Sequence, residues 1–168
     1  MRRPKRRKPR RPANYYEVAG LDLDREMRWL CTLAVFGGSR GPLARSLPTL
    51  TVRRASSRPR RNLGFAVPAE RRISVTAFPG IRPGDVQETL LHELVHIAVG
   101  RRDRSWHGQL FRRTLKEAMR QAYGITTAPA RGSTHGTYAE ALERRRQALA
   151  KTPRGRLHPQ QLALDSAA

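Results

Sequence analysis

His92-Glu93-Leu94-Val95-His96 carries two imidazoles and a carboxylate at a spacing that can do hydrolytic chemistry. Residues four apart on an α-helix lie about 40° from each other, so both imidazoles can close on one metal ion from adjacent turns. A zinc ion held this way lowers the pKa of its water towards neutrality, and Glu93, next in line and not itself a ligand, can take the proton. A catalytic zinc wants three protein ligands and an open position, so this pentapeptide is one ligand short.

The flanking residues predict a helix that presents these groups. With His92 as origin, His96, Asp85 and Thr89 fall within about 60° of it, while Val86, Leu90, Leu91, Leu94, Ile97 and Ala98 lie between about 120° and 260°. The expected arrangement is an apolar stripe on one face and the site on the other. Pro83 and Asp85 suit the first turn, and Gly100 suits the C-cap.

The third ligand candidate is His107, in Ser105-Trp106-His107-Gly108-Gln109-Leu110-Phe111. H-E-x-x-H followed by a His-Gly-x-x-Phe element resembles the SprT-like family of zinc metalloproteases, and the resemblance covers roughly residues 20–125. It implies an α+β, zincin-like core: an N-terminal helix, a small three-stranded sheet, the H-E-x-x-H helix and a following helix that carries the third histidine. It also implies Zn2+ on His92, His96 and His107, with Glu93 as general base. One departure is plain, because many SprT-like proteins append a four-cysteine zinc ribbon and this chain has a single cysteine, Cys31.

A glutamate from a later helix is the other way to complete such a site, and Glu117 lies near the right distance downstream. On a helix opened by His107, Phe111, Leu115, Ala118, Met119 and Ala122 form the buried stripe. Glu117 falls away from it, within i,i+4 reach of Arg113. The metzincin pattern is excluded, since Val99 and Arg102 stand where its glycine and third histidine belong. His135, in Gly132-Ser133-Thr134-His135-Gly136-Thr137-Tyr138, can line a cleft and Tyr138 can donate to an oxyanion, although a lone His beside glycines is more often a loop residue. His158 has no assigned role.

The elements that must position these residues follow from the rest of the chain. Its 168 residues suit one domain with flexible ends. A first helix is expected from Asp22 or Asp24 to Phe36, ended by Gly37-Gly38. Extended segments are expected at Leu50 to Arg54, Leu63 to Val67 and Arg72 to Phe78. Zincin proteases commonly pair substrate backbone with the strand nearest the site, so the last segment, with Ile73 and Val75, is either a peptide rail or an ordinary sheet strand. Tyr138 to Lys151 reads as a further helix with Glu140 and Glu143 set among Arg144, Arg145 and Arg146, a charge run that is either a solvated face or an extension of a phosphate-binding surface.

Charge bounds the partners. Lys and Arg total 34 against 13 acidic residues, for a formal net charge of +21. Such a balance attracts polyanions, which makes nucleic acid the natural partner class. A membrane surface fits poorly, because the basic segments lack interleaved large apolar residues. Residues 1–18 read as a disordered basic arm, 19–150 as the folded domain and 151–168 as a flexible tail. The arm lacks the apolar run of a signal peptide, and with the lone cysteine it implies a reducing cytoplasm, with nucleoid association as an extension of the charge. Two functions follow: a zinc metalloendopeptidase acting on protein, including DNA-associated protein, or a basic nucleic-acid-binding protein whose zinc site is structural or inactive.

Overall fold

The computed structural model describes residues 12, 14–102, 105–126 and 137–151. Most of the basic arm, His135, His158 and nearly all of the tail lie outside them. The folded part begins earlier than residue 19. A hairpin of β1 (Glu17–Val18) and β2 (Leu21–Asp22) pairs antiparallel across Ala19 and Gly20. Both turn residues have positive φ, 52° and 75°, as a two-residue hairpin with the right-handed twist requires.

Helix α1 (Leu23–Leu30) is capped by Asp22, which accepts from the backbone N–H of Asp24 and Arg25. It stops short of the expected Phe36. Thr32 donates its hydroxyl to the Trp29 carbonyl at 2.7 Å, Leu33 is extended, and a separate 3-10 turn covers Ala34–Phe36. Gln121 accepts from the Val35 N–H at 3.0 Å, so a side chain from a later helix holds the turn in place of a helical carbonyl. A short helix α2 (Pro42–Arg45) then leads to the sheet.

The sheet consists of β3 (Thr49–Arg54), β4 (Gly64–Val67) and β5 (Arg72–Ala77), close to the expected segments. Strand order is β3-β5-β4, with β3 parallel and β4 antiparallel to β5. Leu50, Val52, Ile73, Val75 and Ala77 face the core. The outer edge of β3 is covered by the N-terminal segment: Val52 donates to the Tyr15 hydroxyl, and Arg54 donates to the carbonyls of Asn14, Tyr15 and Glu17. The outer edge of β4 pairs with no strand among the described residues.

Helix α3 (Pro83–Val99) runs through the middle of the molecule and is buried on every side, not along one stripe. Gly100 caps its C-terminus as expected. The sheet, through β4 and β5, and three helices explain the all-round burial. α4 (Gln109–Tyr123) packs its predicted stripe, Phe111, Leu115, Ala118, Met119 and Ala122, into the core. α1 and α4 meet α3 through Glu26, which accepts from the Tyr123 hydroxyl at 2.8 Å and from Gln87 at 3.1 Å. α5 (Thr137–Ala150) docks its first turns on the N-terminal half of α3.

That last contact corrects the expected solvated face. Glu88 accepts from the Ala139 N–H at 2.8 Å, and Glu143 accepts from the Gly84 N–H at 2.5 Å, so each helix caps the other's N-terminus. Arg82 joins them, binding Asp85 through two nitrogens and Glu140 at 2.6 Å. A Cβ on Gly84 would lie 2.7 Å from the Ala139 carbonyl oxygen, which is why the helices approach this closely. The architecture is mixed α+β, and no described helix is long and apolar enough to cross a membrane.

Candidate metal centre

His92 and His96 stand one turn apart on α3, and both are buried, 2 % and 8 % exposed. His107 reaches them from the loop that precedes α4, one residue before its N-cap Gly108. The Nε2 atom of His92 lies 3.0 Å from that of His107 and 3.2 Å from that of His96. Nitrogens held 2.0–2.1 Å from a tetrahedral ion sit about 3.3 Å apart, so the three imidazoles need only small shifts to hold one. Among the described residues no other His, Cys, Asp or Glu joins the cluster. Three neutral imidazoles suit zinc and its neighbours in the first transition row.

Phe111 explains the fixed distance from His107 to the phenylalanine. Its ring is 1 % exposed and lies 4.8, 4.4 and 4.8 Å from the rings of His92, His96 and His107. It forms an apolar floor that presses on all three imidazoles at once. Trp106 lies on the other side of His96, ring centroids 5.2 Å apart, and faces solvent.

Glu93 is 4 % exposed and stands outside the ligand cluster, as a base requires. Burial pushes its carboxyl up to about 8; a cation on the neighbouring imidazoles acts in the opposite direction and favours the carboxylate. Gly64 of β4 seats it. A Cβ there would lie 2.6 Å from Thr89 Cγ2, 2.8 Å from the Ser74 carbonyl oxygen and 3.1 Å from Glu93 Cγ, so only glycine lets the strand lie on α3 at this point. Sequence reasoning passed over Gly64, although a glycine within an extended segment is the sign of such an approach.

A cleft of ≈ 370 Å³ opens between β4, at Gly64, Phe65 and Ala66, and the histidines with Glu93 and Trp106. Three expected residues are not part of it. Ile73 and Val75 are 0 % exposed on β5, which is paired on both edges and has no backbone left for a substrate. The strand at the cleft is β4. Tyr138 is 3 % exposed in the core at the start of α5, where burial first and Glu88 second raise its hydroxyl pKa. That position makes it a packing residue, not an oxyanion donor. Glu117 is on the surface, bound to Arg120 at 2.6 Å and not to Arg113, and also accepts from Gln121.

Compared with family models, curated proteins and solved structures, the chain gives no match. The site must therefore be argued from its own geometry.

Proposed function

We propose that this chain is a zinc-dependent metallopeptidase with a SprT-like, zincin-like core. The convergence of His92, His96 and His107 beside a buried, non-ligating Glu93 carries the reading. Zinc bound there supplies a Lewis acid for the scissile carbonyl and acidifies water at neutral pH. Glu93 accepts the water's proton on its carboxylate and returns it to the leaving amine. The open edge of β4 holds the substrate backbone in an extended form beside Glu93. Phe111 keeps the three rings in register and excludes water from below.

The charge of +21 favours proteins bound to nucleic acid as substrates, with the arginine-rich surface holding the polyanion while the cleft works on the polypeptide. The same charge supports a second reading, a nucleic-acid-binding protein with a structural or inactive zinc site. Elemental analysis and cleavage assays separate them. One zinc per chain in wild type, much less in His107→Ala, and intact zinc with lost cleavage in Glu93→Gln are expected. Unchanged cleavage in Glu93→Gln would refute the mechanism, and a folded wild type that refuses zinc would leave the second reading.

A further inference from the structure

The cleft in front of the histidines adjoins a second cavity of ≈ 180 Å³ at Gly64 and Glu93, walled by Asp85, Glu88 and Thr89 of α3 and by Arg58, Arg60 and Arg61 of the β3–β4 connection. Gly64 and Glu93 line both spaces, so together they form one groove between α3 and β4.

The two ends of this groove differ in chemistry. At the histidine end the lips are Trp106, 64 % exposed, and Phe65, 38 % exposed, the two large apolar side chains on the described surface. At the other end stand three exposed guanidinium groups, none of which enters an ion pair among the described residues. The acids behind them are already engaged: Asp85 binds Arg82, and Glu88 accepts from the Ala139 amide. Arg58 lies over the Phe78 ring at 5.9 Å and its charge acts on Asp85, while Arg60 and Arg61 carry no ion pair among the described residues, so the wall keeps cationic groups that favour an anionic partner.

We propose that the groove selects a polypeptide segment with an acidic side chain on the arginine side of the scissile bond and a large apolar side chain on the Trp106 side. This deepens the metallopeptidase reading, which sets the scissile bond at the junction of Gly64 and Glu93. Single-stranded nucleic acid is the competing occupant, since it also takes arginines and aromatics. It fits less well here. The cleft is bordered by β4, whose outer edge pairs with no strand among the described residues, and backbone groups on such an edge pair with an extended polypeptide and not with a nucleic-acid strand.

The test uses the full-length Glu93→Gln protein with zinc resupplied, and fluorescein-labelled peptides read by anisotropy. The peptides place one acidic and one aromatic residue in both orders and at varied separations. One order should bind at least about tenfold tighter than its counterpart with lysine for the acid. Arg58→Glu/Arg60→Glu/Arg61→Glu should reverse that preference, because repulsion replaces attraction. Trp106→Ala should remove discrimination between aromatic and alanine peptides and keep the charge preference. Equal binding of acidic and basic peptides, or a preference unmoved by reversing the arginines, overturns the proposal. So does displacement of the peptide by a single-stranded oligonucleotide that depends on the same arginines. Because binding is read without turnover, selective binding upholds the groove's preference even if wild type cuts nothing, a result that would count against the peptidase reading alone.

Discussion

The two halves of α3 both bury polar side chains, and they use them in opposite ways. In the N-terminal half, Asp85 and Glu88 are answered by Arg82 and the Ala139 amide, and the helix's own Gly84 amide by Glu143. Every donor in that set meets an acceptor inside the fold, so the polar groups lock α5 to α3. In the C-terminal half, His92 and His96 turn towards His107 across a cleft, and Glu93 forms no ion pair among the described residues. There the imidazoles meet one another, with His92 Nε2 3.0 Å from His107 Nε2 and 3.2 Å from His96 Nε2, over the apolar ring of Phe111 and beside the cleft. Polar groups that close on another helix fasten structure, and polar groups gathered at a cleft stand within reach of a ligand.

The comparison breaks most sharply at the histidine cluster. On the proposed reading His96→Ala removes a zinc ligand and should lower zinc affinity by more than the 10–100-fold, roughly, that loss of an outer-shell partner costs. The melting curve of the zinc-free protein should move far less, because that half of α3 is not fastened through its polar groups. Gly64→Ala tests positioning in the same half. The added methyl must push β4 from Thr89 and Glu93, and a displacement of about 1 Å costs on the order of 100-fold in turnover. Zinc content should stay at the wild-type level. If zinc fell together with turnover, Gly64 would be supporting the ligands and not Glu93.

Gly84→Ala probes the other half. Its methyl would meet the Ala139 carbonyl and Glu143, and should destabilise the fold by about 2 kcal/mol, lowering Tm by several degrees with zinc stoichiometry unchanged. Thermal melts and elemental analysis on the same preparation check both parts. A fall in zinc stoichiometry in the folded variant would show the two halves to be one unit.

How much of this could be read beforehand follows the same division. The convergence of His92, His96 and His107 was legible because helical spacing is local, and His-Gly-x-x-Phe places the third imidazole just ahead of the next helix. The α4 stripe and the three strands were legible for the same reason. The edge available to a substrate was not. Which strand ends up at the edge depends on strand order, and β5 takes the centre between two segments that both precede it. The mutual caps at Glu88 and Glu143 were hidden as well, since a carboxylate aimed at another helix's amide looks in sequence like a solvated charge. Arg58, Arg60 and Arg61 were hidden too, because only the fold brings the β3–β4 connection to the wall of the groove.

The smallest expected effect separates two carboxylates that are both held below their ordinary range. Burial alone pushes Asp85 up, but the hydrogen bonds and charge of Arg82 outweigh it, and the group ends lower. Glu117 is held at about 2, first by Arg120 and then by Gln121, on the open surface. A carboxylate depressed by folding adds stability above the ordinary value near 4, and that stability is lost as pH falls through the lower folded value. Both residues therefore predict a loss of stability on acidification, and salt tells them apart. At about 1 M salt the screening length is about 3 Å, which suppresses an exposed pair but leaves a buried, bidentate one largely intact. Denaturant titrations below pH 4 should show that Asp85→Asn flattens the acid dependence at low and high salt alike, while Glu117→Gln does so only at low salt. An Asp85 contribution that vanished in salt would mean the Arg82 clasp is open to water, and the N-terminal half of α3 would lose its claim to be the fastened one.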